Sequence, residues 1–444
     1  MIVPVTRNVT FQLRPGGRLG GRLRVPGDKS ISHRSVMLGA LAEGETLVDG
    51  FLEGADALAT LRAFRDMGVS VDGPKGGRLR IHGVGLHGLA APPAPLDLGN
   101  SGTSMRLLCG LLAGQTFDSV LSGDASLSRR PMRRVTEPLS AMGAVIETGP
   151  EGTAPLTIRG GQPLHGIDYA LPVASAQVKS SLLLAGLYAA GETRVTEPAP
   201  TRDHTERMLA GFGYPVARTG ATVALRGGGR LSGHAIDVPA DISSAAFFLV
   251  GASIAPGSDV LLEHVGVNPT RTGVLDILRR MGADIELVDP RESGGEPVAD
   301  IRVRAAALKG IDIPPELVPL AIDEFPAVFV AAAAARGRTV LNGAGELRVK
   351  ESDRIGVMAE GLRRLGGRAE PTADGMIIDG GGISGGSVEA HGDHRVAMAF
   401  AMAALAANEP VTVRDCANVD TSFPGFAEMA AGCGLRIEIA EPRR

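Results

Sequence analysis

One complete copy of the unit that builds this chain is residues 243–289, SSAAFFLVGASIAPGSDVLLEHVGVNPTRTGVLDILRRMGADIELVD. It opens on an apolar helical run, Ser243–Ala255, which is too uniformly apolar for a surface helix and is broken by a Pro-Gly pair. A β-prone stretch, Asp259–His264, comes next, and a second helix follows with apolar residues at helical spacing. Gly282 suits a left-handed stop to that second helix. The order predicts a small α/β module with a buried helix beneath a sheet.

The same order recurs six times along the 444 residues. Each copy has an amphipathic run that ends on an apolar residue plus glycine, at Met67-Gly68, Met142-Gly143, Phe212-Gly213, Met281-Gly282, Leu365-Gly366 and Cys433-Gly434. The junctions lie 68 to 84 residues apart, a longer period than that of ordinary solenoids. A chain of this length fits two domains better than one. We therefore predict an α/β protein of two globular domains, each with three modules.

Composition excludes several classes of protein. A net charge of −4 gives no general attraction to nucleic acid or to anionic membranes. The longest apolar run, residues 397–407, is too short to span a membrane, and the first residues lack the core of a signal peptide. Cys109, Cys416 and Cys433 have no metal-like spacing, which favours a reducing compartment. We predict a soluble cytoplasmic protein with no nucleic-acid or membrane partner.

Charged side chains stand at helix starts where the fold does not require them. The segment GDKSISHR, residues 27–34, opens an apolar helix. Cations at a helix N-terminus oppose the helix dipole, so Lys29 and Arg34 point to an anion that they bind. The alternative is that Asp28 or Ser30 caps the helix while the cations are solvated. The residues of this segment leave both interpretations open.

Similar segments precede other helices: LGNSGTSMR (98–106), RRPMRR (129–134), SAQVKS (175–180), RDH (202–204), DE (323–324), KESDR (350–354) and HGDHR (391–395). Each has an ordinary alternative, such as a Gly-rich turn, a solvated basic face, a hydroxyl cap or a surface ion pair. His391 and His394 could suggest a metal, but no third ligand is evident. Together the segments predict an anion-attracting site for phosphate and carboxylate groups, with two or three carboxylates for proton transfer.

The chain resembles the 5-enolpyruvylshikimate-3-phosphate (EPSP) synthases in ten ordered segments: GDKSISHR, LGNSGTSMR, SRRPM, ASAQVKS, TRDHTE, NPTRTG, AIDEFP, RVKESDR, GDHRVAM and TSFP. They run from Gly27 to Pro424, nearly the whole chain. The resemblance implies two domains, each of three βαβαββ units around buried parallel helices. One domain would combine residues 1–27 with 239–444, and the other would be residues 28–238. The active site would lie in the cleft between them.

The resemblance also implies an activity, the transfer of the enolpyruvyl group of phosphoenolpyruvate to the 5-hydroxyl of shikimate 3-phosphate with release of phosphate. In this family the reaction belongs to the shikimate pathway, which leads to chorismate and the aromatic amino acids. It implies no organic cofactor and no metal. The expected partners are the two small-molecule substrates, with glyphosate as a candidate inhibitor, and the enzyme is expected to be a cytoplasmic monomer.

The motifs imply two sets of ligand residues. Shikimate 3-phosphate would be held by Lys29, Ser30, Arg34, Ser175, Gln177, Arg202, Asp323 and Lys350. Phosphoenolpyruvate would be held by Lys29, Gly102, Arg130, Gln177, Arg354 and Arg395. Arginine forks suit both carboxylate and phosphate groups.

Three residues would move protons. Asp323 would take the proton from the attacking hydroxyl. Glu351 would deliver a proton to the methylene carbon of phosphoenolpyruvate and later remove one as phosphate leaves. Lys29 would help to protonate the departing phosphate.

Some positions depart from the family pattern. Glu346 stands where many members have Asn, and Thr421 stands where many have Lys, so contacts at these positions are not carried over. Arg202 lies in a TRDHTE form that resembles the glyphosate-tolerant bacterial type. Leu107 replaces the proline that is usual in sensitive members, whereas Gly102 is retained where the best-known tolerant member has alanine. We predict partial tolerance to glyphosate.

Two rival functions remain. The sister enolpyruvyl transferase acts on UDP-N-acetylglucosamine and carries a reactive cysteine in an arginine-containing loop, a setting that none of the three cysteines has. The other rival is a non-catalytic repeat scaffold, in which the charges at the helix starts would not converge.

Overall fold

The computed structural model describes residues 9–440, and within them the chain is a mixed α/β protein, which confirms the predicted fold class. Residue contacts divide the chain into two units. The inserted unit contains Gly27–Pro239 and the short segment Glu292–Glu296. Of the described residues, the terminal unit contains 9–26, Ala240–Arg291 and 297–440. No helix within residues 9–440 is long and apolar enough to cross a membrane.

The α-helices of the described residues alternate between strongly buried and amphipathic ones. They are α1 (Lys29–Leu41), α2 (Ala55–Asp66), α3 (Gly102–Ala113), α4 (Arg133–Ala141), α5 (Ala176–Gly186), α6 (His204–Gly211), α7 (Ile242–Ile254), α8 (Gly273–Arg280), α9 (Phe325–Ala334), α10 (Arg354–Arg364), α11 (His394–Ala403) and α12 (Phe426–Cys433). Short 3-10 helices lie at Leu127–Arg129, Pro150–Gly152, Pro315–Leu317, Gly345–Val349 and Ala417–Thr421.

The strands of the same residues are short. They are β1 (Thr10–Gly17), β2 (Gly20–Leu23), β3 (Glu43–Asp49), β4 (Ser70–Lys75), β5 (Arg78–Val84), β6 (Leu96–Asp97), β7 (Ser119–Ser122), β8 (Val145–Thr148), β9 (Leu156–Arg159), β10 (Asp168–Ala170), β11 (Glu192–Thr196), β12 (Ala217–Thr219), β13 (Thr222–Arg226), β14 (Ala235–Asp237), β15 (Asp259–Gly266), β16 (Asp284–Ser293), β17 (Glu296–Arg304), β18 (Arg338–Leu341), β19 (Arg368–Pro371), β20 (Met376–Asp379), β21 (Gly386–Glu389), β22 (Val411–Arg414) and β23 (Leu435–Ala440).

The inserted unit contains three four-stranded sheets of one topology. Their strand orders are β6-β7-β9-β8, β10-β11-β13-β12 and β14-β3-β5-β4. The first two strands in each order are parallel, and the remaining pairs are antiparallel. Two of the sheets follow the chain order strand, helix, strand, helix, strand, strand. In the third sheet the first strand, β14, comes from the far end of the segment, so this βαβαββ unit is closed by residues distant in sequence.

The terminal unit repeats the pattern with two variations. Its sheets have the orders β16-β17-β15-β2, β18-β20-β19 and β21-β22-β1-β23. In the last sheet β1, from the start of the chain, pairs with both β22 and β23. In the three-stranded sheet a parallel bridge from Asp312 to Val340 stands where the other sheets have their first strand.

The uniformly apolar runs form the buried helices, as predicted. In α7 every residue from Ile242 to Ser253 is buried. Small residues let these helices pack closely: at Gly110 in α3 an added Cβ would lie 1.9 Å from the carbonyl oxygen of Ser181 in α5. Each unit has its own hydrophobic core around three such helices, α1, α3 and α5 in one, and α7, α9 and α11 in the other.

The six junction glycines end the amphipathic helices in the left-handed conformation. Their φ angles lie between +80° and +115°, at Gly68, Gly143, Gly213, Gly282, Gly366 and Gly434. A side chain is disfavoured at such angles, whereas glycine adopts them freely. The repeat signal in the sequence therefore marks the point in each unit where the chain leaves its second helix.

Candidate active site

The start of α1 carries the first predicted ligands. Asp28 caps this helix, because its Oδ1 accepts a hydrogen bond from the backbone N–H of Ile31 at 2.9 Å. Lys29 Nζ lies 3.1 Å from Oδ2 of Asp56, a carboxylate that the sequence alone does not indicate. The Lys29 side chain is 17% exposed, so its ammonium is accessible to a ligand although it is paired with Asp56.

Arg34 is buried on the same helix and is already bonded within the inserted unit. Its Nε donates to Thr205 Oγ1 at 2.7 Å, and its Nη2 donates to Ser180 Oγ at 2.8 Å. Its Nη1 donates to the carbonyl oxygen of Ser30 at 2.9 Å. Burial lowers the pKa of Arg34 to about 10, and the Glu206 carboxylate opposes this shift. Three of the five guanidinium N–H groups are engaged, so at most two are left for a substrate.

Gly102 begins α3, and two guanidinium groups approach it. An added Cβ would lie 2.9 Å from Arg130 Nη1 and 3.1 Å from Arg106 Nη1. Arg130 Nη2 donates to Asn100 Oδ1, and Arg106 Nη1 donates to Gln177 Oε1, each at 2.6 Å. Three predicted phosphoenolpyruvate ligands, Gly102, Arg130 and Gln177, are thus grouped around Arg106.

Ser175 and Arg202 lie at the starts of the next two helices of this unit. Ser175 is the N-cap of α5, and its Oγ accepts a hydrogen bond from the backbone N–H of Val178 at 3.4 Å. Arg202 is half-buried two residues before α6, and its charge is among those that lower the pKa of Arg34. The predicted shikimate 3-phosphate ligands of this unit therefore come from three neighbouring helix starts.

In the terminal unit the predicted residues surround Arg354, whose side chain is 1% exposed. Its Nε lies 2.8 Å from Asp393 Oδ2, and its Nη2 lies 3.2 Å from Asp393 Oδ1. The same Nη2 donates to Glu351 Oε2 at 2.7 Å, and Nη1 donates to Asp323 Oδ1 at 3.4 Å. One guanidinium therefore holds both predicted proton-transfer carboxylates.

Neighbouring carboxylates keep the Arg354 guanidinium ionised in spite of its burial. Burial by itself lowers the pKa of Arg354, but the Asp393 and Glu351 carboxylates outweigh it, so the pKa is raised above its ordinary value. Burial also raises the pKa of Asp393, and the Arg354 charge outweighs it in turn, so that pKa is lowered. Lys350 adds a second cation, with Nζ 3.3 Å from Asp323 Oδ1.

Arg395 lies at the start of α11 and touches the same segment. Its Nη1 donates to the backbone carbonyl oxygen of Asp323 at 3.2 Å and lies 3.8 Å from Glu324 Oε1. Its backbone N–H donates to Asp393 Oδ1 at 2.9 Å, so Asp393 caps the helix while it binds Arg354. All five predicted residues of the terminal unit, Asp323, Lys350, Glu351, Arg354 and Arg395, are therefore linked by direct contacts through shared residues.

A second buried cluster lies beside this one and is not among the predicted residues. Arg271 Nη2 lies 2.7 Å from Ser243 Oγ and 3.1 Å from Asp241 Oδ1. The Ser243 hydroxyl donates to Glu324 Oε1. Glu324 is the N-cap residue of α9, yet its side chain makes no capping hydrogen bond. Its carboxylate instead faces the cations of the two clusters.

Some site residues could have been found from the signal that identified the others. Asp393 and Arg271 lie in segments that carry the family resemblance, and Asp393 directly precedes a buried helix. Asp56 gives no such signal, because it lies in an amphipathic helix where an acidic residue is ordinary. Within residues 9–440 no group of three or more His, Cys, Asp or Glu side chains could hold a metal ion.

Glu346 and Thr421, the two positions that depart from the family pattern and have no predicted ligand contact, lie in 3-10 helices. Glu346 is half-buried in Gly345–Val349, and the Thr421 hydroxyl donates to the carbonyl oxygen of Asn418 at 2.6 Å. The ligand assignments, and the expectation that the two groups of residues face one cleft, stay predictions.

Comparisons with known proteins agree in the family that they indicate. The family model described as EPSP synthase (3-phosphoshikimate 1-carboxyvinyltransferase) matches residues 13–429. The chain is similar to proteins named 3-phosphoshikimate 1-carboxyvinyltransferase from Alkalilimnicola ehrlichii, at 74% identity over 96% of each chain, and from Nitrosococcus oceani, at 70% identity over 97% of each chain.

A solved EPSP synthase structure from Acinetobacter baumannii resembles this one with a TM-score of 0.88 and 60% identity, covering 97% of this chain and all of that one. These matches confirm the resemblance to the family, while the narrower resemblance to the glyphosate-tolerant type stays a prediction. A match over nearly the whole length, in both sequence and structure, leads to one conclusion: the chain belongs to the EPSP synthase family.

Proposed function

We propose that this chain transfers the enolpyruvyl group of phosphoenolpyruvate to the 5-hydroxyl of shikimate 3-phosphate, giving 5-enolpyruvylshikimate 3-phosphate and phosphate. The observation that carries the proposal is the sharing of Arg354 by Asp323 and Glu351. The reaction needs one group that accepts a hydroxyl proton and another that donates a proton to carbon. Two carboxylates fixed on one guanidinium are suited to that division of work.

The reaction proceeds by addition and then elimination. Asp323 accepts the proton of the 5-hydroxyl as the hydroxyl oxygen bonds to C2 of phosphoenolpyruvate. Glu351 enters this step as the protonated acid and delivers its proton to the C3 methylene, which leaves it as the carboxylate. The product of this step is a tetrahedral intermediate in which C2 carries both the new ether oxygen and the phosphate. Glu351 then removes a proton from C3, the C2–O bond to phosphate breaks, and Lys29 donates a proton to the departing phosphate.

The cations stabilise charge on both substrates. Arg130, Arg354 and Arg395 would bind the phosphate and carboxylate of phosphoenolpyruvate, because guanidinium groups can form paired hydrogen bonds to either. Fixed cations of this kind also stabilise the charge of the tetrahedral intermediate without reorganising during the reaction. The remaining predicted ligands would hold shikimate 3-phosphate. This mechanism requires both groups of residues to act on one pair of substrates.

The test is release of inorganic phosphate from phosphoenolpyruvate with shikimate 3-phosphate, compared with release in the presence of UDP-N-acetylglucosamine. We expect release only with shikimate 3-phosphate. Release only with the nucleotide sugar would replace this function by that of the sister transferase, and release with neither would favour a scaffold. The cysteines favour the first outcome, because burial raises the pKa values of Cys109 and Cys416 to about 12, far from those of reactive thiols.

We propose further that the enzyme acts as a cytoplasmic monomer and is partly tolerant to glyphosate. The support for tolerance is Leu107, which is fully buried in α3, while the retained Gly102 favours sensitivity. The measurement is the inhibition constant of glyphosate against phosphoenolpyruvate. A value well below the Michaelis constant for phosphoenolpyruvate would contradict tolerance. Gel filtration of the purified chain tests the monomer.

A further inference from the structure

A buried group of charges in the inserted unit has no part in the proposed reaction. Lys179, on α5, is fully buried, and its Nζ lies 2.9 Å from Glu197 Oε1 and 2.7 Å from Glu206 Oε1. Both carboxylates are buried as well. The loss of hydration on burying such charges often equals or exceeds their attraction, so stability alone does not explain these three residues, which we call the buried triad.

The charge balance of the buried triad involves Arg34. One ammonium faces two carboxylates, so the triad has one negative charge in excess. Burial lowers the pKa of Arg34, and Glu206 is first among the charges that raise it. Arg34 Nε donates to the hydroxyl of Thr205, the neighbour of Glu206, at 2.7 Å. That hydroxyl donates to Ser180, the neighbour of Lys179, at 2.7 Å. Arg34 is thus close enough to Glu206 for their charges to interact, and it donates to the hydroxyl groups of the residue after Lys179 and the residue before Glu206.

The buried triad also holds both ends of the turn that carries Arg202. Glu197 follows β11, and Glu206 lies in the first turn of α6, so the chain between them contains this arginine. Both carboxylates bind the same ammonium. Within the turn, the Thr201 hydroxyl donates to Glu197 Oε1. The position of Arg202 is therefore set by the ion pairs on either side of it.

We infer that Lys179 is a positioning residue for shikimate 3-phosphate, which it serves by fixing Arg34 and the turn of Arg202. This inference rests on the proposed function, which makes both arginines ligands of that substrate. Lys179 is too deeply buried to touch the substrate itself. Its effect falls mainly on shikimate 3-phosphate, because Arg34 and Arg202 are predicted ligands of that substrate alone. Gly102 and Arg130, predicted ligands of phosphoenolpyruvate alone, belong to α3 and to the turn before α4.

The perturbation is Lys179→Met, which keeps the length of the side chain and removes its charge. Two buried carboxylates are then left without their ammonium. Glu206, the first of the charges that raise the pKa of Arg34, then draws Arg34 toward itself and away from the substrate. We expect KM for shikimate 3-phosphate to rise about tenfold, with KM for phosphoenolpyruvate changed by less than about twofold. The matched control is Lys75→Met, which alters an exposed lysine on β4 of the same unit and should change neither constant.

A second substitution separates positioning from a general loss of structure. Adding Glu197→Gln to Lys179→Met removes the excess negative charge, so Arg34 and Glu206 balance each other and KM for shikimate 3-phosphate should fall back at least halfway on a logarithmic scale. A merely structural role predicts instead a smaller fraction of active enzyme, seen in kcat, with KM unchanged and no recovery in the double variant.

If Lys179→Met does not fold, Thr205→Val tests the same link, because it removes the acceptor of Arg34 Nε at constant volume. We expect a rise of about threefold or more in KM for shikimate 3-phosphate alone. An active wild-type enzyme whose variants show unchanged KM for shikimate 3-phosphate would overturn the positioning role. A wild-type chain that releases no phosphate would overturn the proposed function itself, and with it the ligand named here.

Discussion

Replacing Asp393 by asparagine tests whether burial gives the Arg354 ion pair its strength. The two side chains are 0% and 1% exposed and meet through two contacts, of 2.8 and 3.2 Å. Removing one partner of a buried pair costs about 3–5 kcal/mol, because the other charge is left without water or compensation. Asp323 and Glu351 still hold Arg354 in the variant, so we expect the lower end, about 3 kcal/mol.

The substitution removes the charge and the Oδ2 acceptor of Asp393 but keeps its capping role. Asparagine is close in size and caps helices about as well as aspartate, so Oδ1 can still accept the hydrogen bond from the backbone N–H of Arg395. The assay is urea unfolding of wild type and variant at neutral pH. The quantity compared is the free energy of unfolding of the terminal unit. Because folding lowers the pKa of Asp393, its contribution is present at neutral pH and is lost as the pH falls through the folded value, so the difference should shrink in acid.

The matched control is Asp379→Asn. Asp379 makes the same two-contact pair with Arg338, at 2.7 and 3.3 Å, but the Arg338 side chain is 63% exposed. Water and salt screen such a pair, so its loss should leave the unfolding transition almost unchanged. Equal losses in the two variants would refute the reasoning, since geometry rather than burial would then decide the strength of the pair.

Three further predictions address catalysis, packing and pH. Glu351→Gln keeps an oxygen acceptor for Arg354 but loses the group that transfers the proton. Steady-state kinetics should therefore show kcat lowered about 10²–10⁴-fold with both KM values nearly unchanged. A KM effect larger than the kcat effect would contradict the role of Glu351 in proton transfer. Gly102→Ala places a Cβ 2.9 Å from Arg130 Nη1, so KM for phosphoenolpyruvate should rise while KM for shikimate 3-phosphate stays within about twofold; the reverse pattern would contradict the assignment. Burial, aided by neighbouring cations, lowers the pKa of His33 from 6.5 to about 3. Between these two pH values the unfolded chain binds a proton at His33 that the folded chain does not bind, so the free energy of unfolding falls as the pH falls. His33→Asn should therefore lose about 1 kcal/mol less than wild type between pH 7 and 5.5 in urea unfolding, and parallel losses would contradict the shifted pKa.

The predictable part of the fold followed from local patterns. The apolar run of α7 and the glycine at 282 are features of neighbouring residues, and their meaning is set by helix periodicity and by the φ angle that glycine allows. The sheets were harder to predict, since β1 joins β22 and β23 from the other end of the chain, and β14 joins β3 across the whole inserted segment. Pairings at such separations leave no periodic trace in the sequence.

The candidate site likewise has residues that local sequence patterns indicate and contacts that they do not indicate. Lys29 and Arg354 could be selected because each is a cation at the start of a helix, where the helix dipole disfavours it. Which carboxylate pairs with each cation could not be predicted, because Asp56 lies on a different helix from Lys29 and Asp393 lies 39 residues from Arg354. In the sequence Lys179 belongs to a segment at a helix start, whereas in the structure it is buried between two carboxylates.

The sequence by itself determined the repeated module, the buried helices and the family, because these depend on the order and period of residues along the chain. Only the tertiary structure decided which charge meets which. The carboxylates of Asp323 and Glu351 both bind Arg354, and the Glu206 charge acts on Arg34. Because folding removes these side chains from water, each charge must be compensated by an opposite charge or a hydrogen bond within the protein. That compensation depends on distance in space, which the linear order of the residues does not contain.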